Sequence, residues 1–208
     1  METCIKLVAW WDKALLHLQS EPHFLPIIAD SQGEGLCQSP DLFRSMARAV
    51  CGQQVNGAAA ERQIQRVAAA AAHTGKSHLA EGILALDKAG LKACGLSPTK
   101  LSALLGLAQG YLQGELTCAA LNGLTDEEIL KKLTRISGVG PWTANMVLLF
   151  GLGRPDVFPI GDYGLRESGK TVFGDLDTML ERSENWRPYR SAATWLLWRN
   201  RSKTPIQY

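Results

Sequence analysis

A turn of Gly138, Val139 and Gly140 with Pro141 directly after it is the stretch of this sequence best suited to gripping a phosphate. Glycines leave backbone amides uncovered, and proline suits the first position of a helix because its fixed φ fits and no N–H is wasted. The start of that helix offers unpaired N–H groups and the positive end of the helix dipole, both of which attract an anion. Carbonyls of the same turn could hold a cation that touches the phosphate as well. The alternative is an αα-hairpin whose glycines only permit close packing, and the turn taken alone leaves both readings open. A carboxylate, Asp162, stands twenty residues beyond Trp142. Read locally it is either a helix N-cap, whose loss would cost about 1 kcal/mol of stability, or a group that does chemistry.

The elements that must position these residues follow from periodicity. Thr125 with Asp126, Glu127 and Glu128 reads as a capping box, and Ile129, Leu130, Leu133 and Ile136 recur at helical spacing, which predicts a helix ending at Ser137. A second helix is expected from Pro141 to about Phe150, stopped by Gly151. Elsewhere the pattern predicts helices over Trp10 to Leu18, from Ser39-Pro40 through Val50, over Asn56 to Ala72, over Asp87 to Cys94, and from Ser97-Pro98 to Gly114. A proline- and glycine-rich connector occupies residues 151–161, a short helix starts at Asp162, and a Trp-rich helix over Asn185 to Arg199 closes the series. Alternating strand patterns are nearly absent, so the expected class is all-α with about ten helices.

Composition narrows the choices without deciding among them. The 208 residues fit one domain, or two lobes with a shared core. Net charge is +2, but residues 1–40 carry Lys6 and Lys13 against Glu2, Asp12, Glu21, Asp30 and Glu34, a net of −3, which leaves +5 on the rest. That suits a local basic face without announcing nucleic acid. Five scattered cysteines, Cys4, Cys37, Cys51, Cys94 and Cys118, point to buried thiols in a reducing compartment. No secretory leader pattern or membrane-length apolar run is present, so an intracellular soluble protein is expected.

The ordered motifs decide more than any one of them. Ile136-Ser137-Gly138-Val139-Gly140-Pro141-Trp142-Thr143-Ala144 is followed by Arg154-Pro155-Asp156-Val157-Phe158-Pro159 and Gly161-Asp162. Gly52-Gln53-Gln54-Val55 precedes them, and Trp186-Arg187-Pro188-Tyr189-Arg190-Ser191 comes after. This set, spanning roughly Asp41 to Arg199, resembles the helix-hairpin-helix base-excision DNA glycosylases, and most closely their alkylpurine branch of the DNA-3-methyladenine glycosylase II type. The resemblance implies one domain over residues 1–208, with two helical lobes flanking a DNA-binding cleft, one of roughly 42–154 and the other of roughly 1–41 plus 155–208. At its N-terminus the chain looks too short for the extra α/β domain of larger members.

It also implies roles. Asp162 matches the catalytic aspartate, Trp142, Met146 and Trp198 match positions of the base pocket, and Gln54 matches the wedge that fills the gap left by a flipped nucleotide. Backbone amides of Gly138, Val139, Gly140, Trp142 and Thr143 would bind DNA phosphate, with the Thr143 side chain as a further donor and a monovalent cation at the Gly138–Gly140 hairpin. Asp156 would brace the connector. The other tryptophans, Trp10, Trp11, Trp186 and Trp195, would pack in the core. Lys131, Lys132, Arg135, Arg187, Arg190, Arg199 and Arg201 would add charge, some only as a solvated face.

The implied reaction hydrolyses an N-glycosidic bond, whose oxocarbenium-like transition state a carboxylate stabilises. An alkylated purine is cationic, so it leaves as a neutral base and gains from indole faces once it is out of the stack. Bifunctional relatives carry a lysine nucleophile where this chain has Trp142, so the abasic strand should stay intact. Four closely spaced cysteines after Cys118 would be needed for an iron–sulfur cluster, and none follows it. No cofactor is expected, the partner is damaged double-stranded DNA, and a monomer in the nucleoid or nucleus would suffice. Met146, where some relatives have tyrosine, and Gln54, where a relative has leucine, keep open a glycosylase for another damaged base. A non-catalytic helix-hairpin-helix DNA-binding module is the remaining alternative.

Overall fold

Short polar residues set where most of the helices begin. The computed structural model describes residues 6–31 and 33–202, and Cys4 lies outside the described residues. In chain order the helices are α1 (Trp11–Leu18), α2 (Leu25–Asp30), α3 (Leu42–Cys51), α4 (Gly57–Ala72), α5 (Leu79–Ala85), α6 (Lys88–Ala93), α7 (Pro98–Leu112), α8 (Cys118–Leu121), α9 (Asp126–Leu133), α10 (Pro141–Met146), α11 (Tyr163–Phe173), α12 (Leu176–Ser183) and α13 (Arg190–Ser202). Among the described residues the only strand-like pairing is an isolated bridge between Leu7 and Cys37, so the class is all-α. No helix among them is long and apolar enough to cross a membrane.

Asn56, Asp87, Ser97 and Thr125 each accept a hydrogen bond from an amide of the following first turn, the arrangement expected where these residues precede an apolar periodic run. Around α9 the capping box is complete: Thr125 Oγ1 accepts from Glu128 N, and a Glu128 carboxylate oxygen accepts from Thr125 N at 2.8 Å.

Boundaries move from the sequence reading in four places. The helix expected from Ser39-Pro40 starts at Leu42, because Asp41 takes the capping role and accepts from Arg44 N at 2.9 Å. The first hairpin helix stops at Leu133 rather than Ser137, with Thr134 as its C-cap and Thr134 Oγ1 donating back to Leu130 O at 2.7 Å. The second keeps α geometry only to Met146 and then widens into a π turn over Val147–Gly151, closed by Leu152 N donating to Val147 O at 2.9 Å. The last helix begins at Arg190, not Asn185, since Pro188 forces Arg187 into an extended backbone.

The chain divides into two compact units, one built from the described residues up to Gln38 with those from Gly153 onward, the other running Ser39–Leu152. In the second unit α3 is the spine. Nine of its ten residues are buried, and it packs on α4, α7, α10 and the π turn. Phe43, Met46, Phe150, Ile64, Ile83 and Leu104 fill this interior, where truncating a buried Phe to Ala costs about 3–5 kcal/mol. In the first unit α13 plays the same part against α1, α2 and α11. Trp195 meets Trp11 edge-on at 5.2 Å between ring centroids, and Trp186 lies under Phe24 at 5.0 Å and Phe173 at 5.3 Å. Trp11, Trp186 and Trp195 are core residues as expected, whereas Trp10 is half-buried and its indole N–H donates to Gly153 O at 2.8 Å. The thiols are less uniform than expected: Cys51 and Cys94 are buried, Cys37 is half-buried and Cys118 is exposed.

Candidate active site and nucleic-acid interface

Asp162 is held by the unit that contains α11 and α13. Its amide donates to Pro159 O at 2.7 Å, its backbone is extended, and its side chain caps α11 by accepting from Leu165 N at 2.6 Å. The same oxygen, Oδ1, accepts the indole N–H of Trp198 at 2.8 Å. Two donors on one oxygen fix the plane of a half-buried carboxylate, so the capping and chemical readings of Asp162 are compatible rather than competing. A glycine at 164 leaves room for this: a Cβ there would stand 3.2 Å from Asp162 Oδ1 and 3.5 Å from Trp198 Cδ1.

Hydrogen bonds and ion pairs frame the pair from behind. Buried Ser168 on α11 donates its hydroxyl to Leu197 O on α13 at 2.6 Å. Arg199, next to Trp198, is buried and pairs with Glu34, with Asp30 at 3.6 Å. Asp156 braces the connector, accepting from Arg190 Nε at 2.8 Å and Nη2 at 2.9 Å and from Arg187 Nη1 at 2.7 Å. The arginines at 187, 190 and 199 are thus each paired with acids of their own unit, Arg187 while exposed and Arg199 while buried. Arg201 lies over the exposed ring of Tyr163, 5.6 Å from its centroid.

The phosphate-gripping turn belongs to the other unit. Gly138 has φ +84, a backbone that L side chains rarely adopt, and its Cβ position is filled by the Thr99 carbonyl, so both conformation and space call for glycine. Nothing lies within 4 Å of a Cβ at Gly140, and Gly140 caps α10 without a side chain. Val139 is buried and anchors the turn from below.

Trp142, half-buried, rests its ring edge over Gly52: a Cβ at Gly52 would be 3.3 Å from Trp142 Cη2. Thr143 is 2 % exposed and its Oγ1 accepts from Gln53 Nε2 at 2.9 Å, so its hydroxyl faces the interior instead of serving as the expected phosphate donor. Only its backbone amide remains for that role. Met146 is 2 % exposed and presents no open face in this structure, because the inward side of α10 places it in the core. Gln54 is exposed, with φ +56, the one non-glycine positive φ among the described residues.

Two residues acquire roles that the sequence reading missed. Gln53 reaches 85 and 90 residues along the chain to Gly138 O and Thr143 Oγ1. Trp198 meets Asp162 through its N–H edge, in addition to any face it offers. The doubled amide at Gln53-Gln54 was the available signal for the first; no local pattern announces the second.

A cation at the turn would have backbone carbonyls as its donor set. Ile136 O already accepts from Val139 N at 3.0 Å and Gly138 O from Gln53 at 2.9 Å, each with a second lone pair remaining. That set suits a weakly held monovalent ion and lacks the carboxylates a divalent ion takes.

A family model described as HhH-GPD superfamily base excision DNA repair protein matches residues 47–188. The chain belongs to the HhH-GPD superfamily. That match takes in Gln53, Gln54, the hairpin and Asp162, and leaves Trp198 beyond its end. Among HhH-GPD relatives, DNA-3-methyladenine glycosylase 1 of Schizosaccharomyces pombe is 28 % identical over 93 % of this chain and 89 % of its own length. DNA-3-methyladenine glycosylase 2 of Escherichia coli is 30 % identical over 76 % of this chain and 57 % of its own. A solved S. pombe 3-methyladenine DNA glycosylase in complex with abasic DNA superimposes with a TM-score of 0.77 at 27 % identity, covering 92 % of this chain and 97 % of that one.

Proposed function

We propose that the protein is a monofunctional DNA glycosylase of base excision repair that hydrolyses the N-glycosidic bond of alkylated purines, 3-methyladenine first and 7-methylguanine with it. The observation that carries the reading is the Asp162 carboxylate, aimed by Leu165 N–H and the Trp198 indole within a chain of this family. The similarity of this chain to relatives named DNA-3-methyladenine glycosylase supports the substrate class.

In this reading the amides of Gly138, Gly140, Trp142 and Thr143 hold a DNA phosphate, the expected Val139 amide being spent on Ile136 O at 3.0 Å, and Gln54 fills the space left as the damaged base turns out of the stack. A monovalent ion on the turn's carbonyls, when bound, would add positive charge beside that phosphate. The cationic base would gain from an indole face, for which Trp142 in one unit and Trp198 in the other are the candidates. Met146, being buried, offers no face to it. The C1′–N bond breaks with its electron pair going to the base, which leaves neutral. Asp162 stabilises the positive charge left on the sugar and orients a water whose oxygen bonds C1′ and whose proton passes to the carboxylate or to solvent. With tryptophan at 142 in place of a lysine, no Schiff base forms, and the products are free base and an uncut abasic strand. The enzyme works on damaged double-stranded DNA without a partner subunit, in the nucleoid or nucleus.

The test is base release from methylated duplex DNA, resolved by chromatography, with a strand-break gel before and after alkali. Native protein should release 3-methyladenine, Asp162→Asn should not, and breaks should appear only after alkali. Tight DNA binding with no base release would leave a binding module. Good release of a deaminated or oxidised base beside poor release of 3-methyladenine would shift the substrate, a reading kept alive by the exposed Gln54 and the closed Met146.

A further inference from the structure

We propose that Gln53 is a positioning residue that couples the phosphate-gripping turn to the Gln54 wedge, and so determines how well the protein holds a base out of a paired duplex. The proposal deepens the glycosylase reading and rests on it.

A primary amide carries two protons on nitrogen, and both are engaged on Gln53. One goes to Gly138 O and the other to Thr143 Oγ1, each at 2.9 Å. Those acceptors bracket the amides that would face a phosphate: Gly138 opens the turn, and Thr143 lies in the first turn of α10. Gln53 itself sits just past the end of α3, and its contacts span 85 and 90 residues of sequence, so the link exists only in the folded chain.

The next residue is the informative one. Gln54 is exposed and takes φ +56, where a non-glycine backbone persists only if its surroundings fix it. They do so from three sides. Cys51 O accepts the ammonium of buried Lys100 at 2.8 Å, and the same ammonium donates to Gln63 Oε1 at 2.9 Å. Gly52 lies against the Trp142 ring, with no room for a larger residue unless that ring shifts. Gln53 is tied to the turn. Residues 51–53 are thus clamped, while Gln54 and the 44 % exposed Val55 project. A clamp that ends one residue short of a strained, projecting tip transmits position: wherever the turn seats on the backbone of DNA, Gln54 is presented at a fixed offset from it.

The experiment compares single-turnover release of one methylated purine in two duplexes, paired normally or placed opposite an abasic-site analogue, where turning the base out costs less. Gln53→Met keeps length and bulk and removes both donors. With two positioning hydrogen bonds lost, the expected rate on the normal pair falls about tenfold, while the duplex lacking an opposite base loses less than about twofold. Gln54→Ala should show the same selectivity, and the double variant should be no slower than Gln54→Ala alone, because Gln53 acts through Gln54. If Gln53→Met does not fold, Thr143→Val removes one of the two acceptors and should give a smaller deficit confined to the normal pair. Equal losses on both duplexes, or native rates on both, overturn the proposal. If the native protein releases base from neither duplex, the glycosylase reading fails first and takes the proposal with it.

Discussion

Replacing Trp198 with phenylalanine removes one hydrogen-bond donor from Asp162 and keeps an aromatic face in its place, which isolates positioning of the carboxylate from stacking on the base. The indole N–H reaches Asp162 Oδ1 at 2.8 Å, and hydrogen bonds to charged groups contribute about 1.5–3 kcal/mol. If all of it acted in the transition state, the loss would be roughly 10- to 150-fold. The second donor, Leu165 N at 2.6 Å, still holds the same oxygen, and Ser168 still fastens α11 to α13. The lower end therefore applies, and Trp198→Phe should reduce single-turnover base release about tenfold with little change in DNA affinity. Trp198→Leu, which loses ring and donor together, should be slower still and should also weaken retention of the cationic base. The assay is time-resolved release from methylated duplex DNA at saturating enzyme, beside a binding titration on abasic duplex. A native rate for Trp198→Phe would refute the positioning argument. A loss as complete as that of Asp162→Asn would also refute it, because the remaining donor would then be contributing nothing.

Three further outcomes follow from the same geometry. Gly164→Ala should leave thermal stability within about 1 kcal/mol of native, since helix propensity favours alanine by that much, yet slow base release because the new methyl crowds Asp162 Oδ1 at 3.2 Å; unfolding scans and rate assays on one preparation separate the two effects. Burial by itself would raise the pKa of Glu21, but hydrogen bonds from His23 and Arg182 outweigh it and leave the carboxyl below its ordinary 4.5. Its contribution is present above that value and is lost as pH falls through the lower folded-state pKa, so Glu21→Gln should flatten the acid limb of the stability curve measured by circular dichroism. Burial pushes the Cys51 thiol up to about 11, and Cys118 is exposed, so a thiol reagent at neutral pH should label Cys118 quickly and reach Cys51 only on unfolding, as read by peptide mass mapping.

Much of the fold was legible because its signals are local. Capping residues with apolar repeats placed the helices at Asn56, Asp87, Ser97 and Thr125, since a cap bond spans three residues and the stripe it precedes recurs every turn. Boundaries are not legible where two local signals compete, as with Ser39 and Asp41, where a helix stops before its apolar repeat does, as at Thr134, or where a proline delays a helix start, as at Pro188. The π turn after Met146 has no sequence signature that the reading could use.

The site divides along the same line. By itself the sequence determined the helical class, the glycine turn that bares amides, the carboxylate at Asp162 with its capping geometry, and, through the ordered motifs, the family. Each depends on residue type and spacing within one or two turns of chain. Only the tertiary structure decided that the Thr143 hydroxyl turns inward, that Met146 is closed off, that Arg187, Arg190 and Arg199 are held by acids of the fold, and that Trp198 and Gln53 act through hydrogen bonds across 36 to 90 residues. Whether a polar side chain faces solvent or a partner depends on which distant surface packs against it, and neither periodicity nor local spacing carries that information.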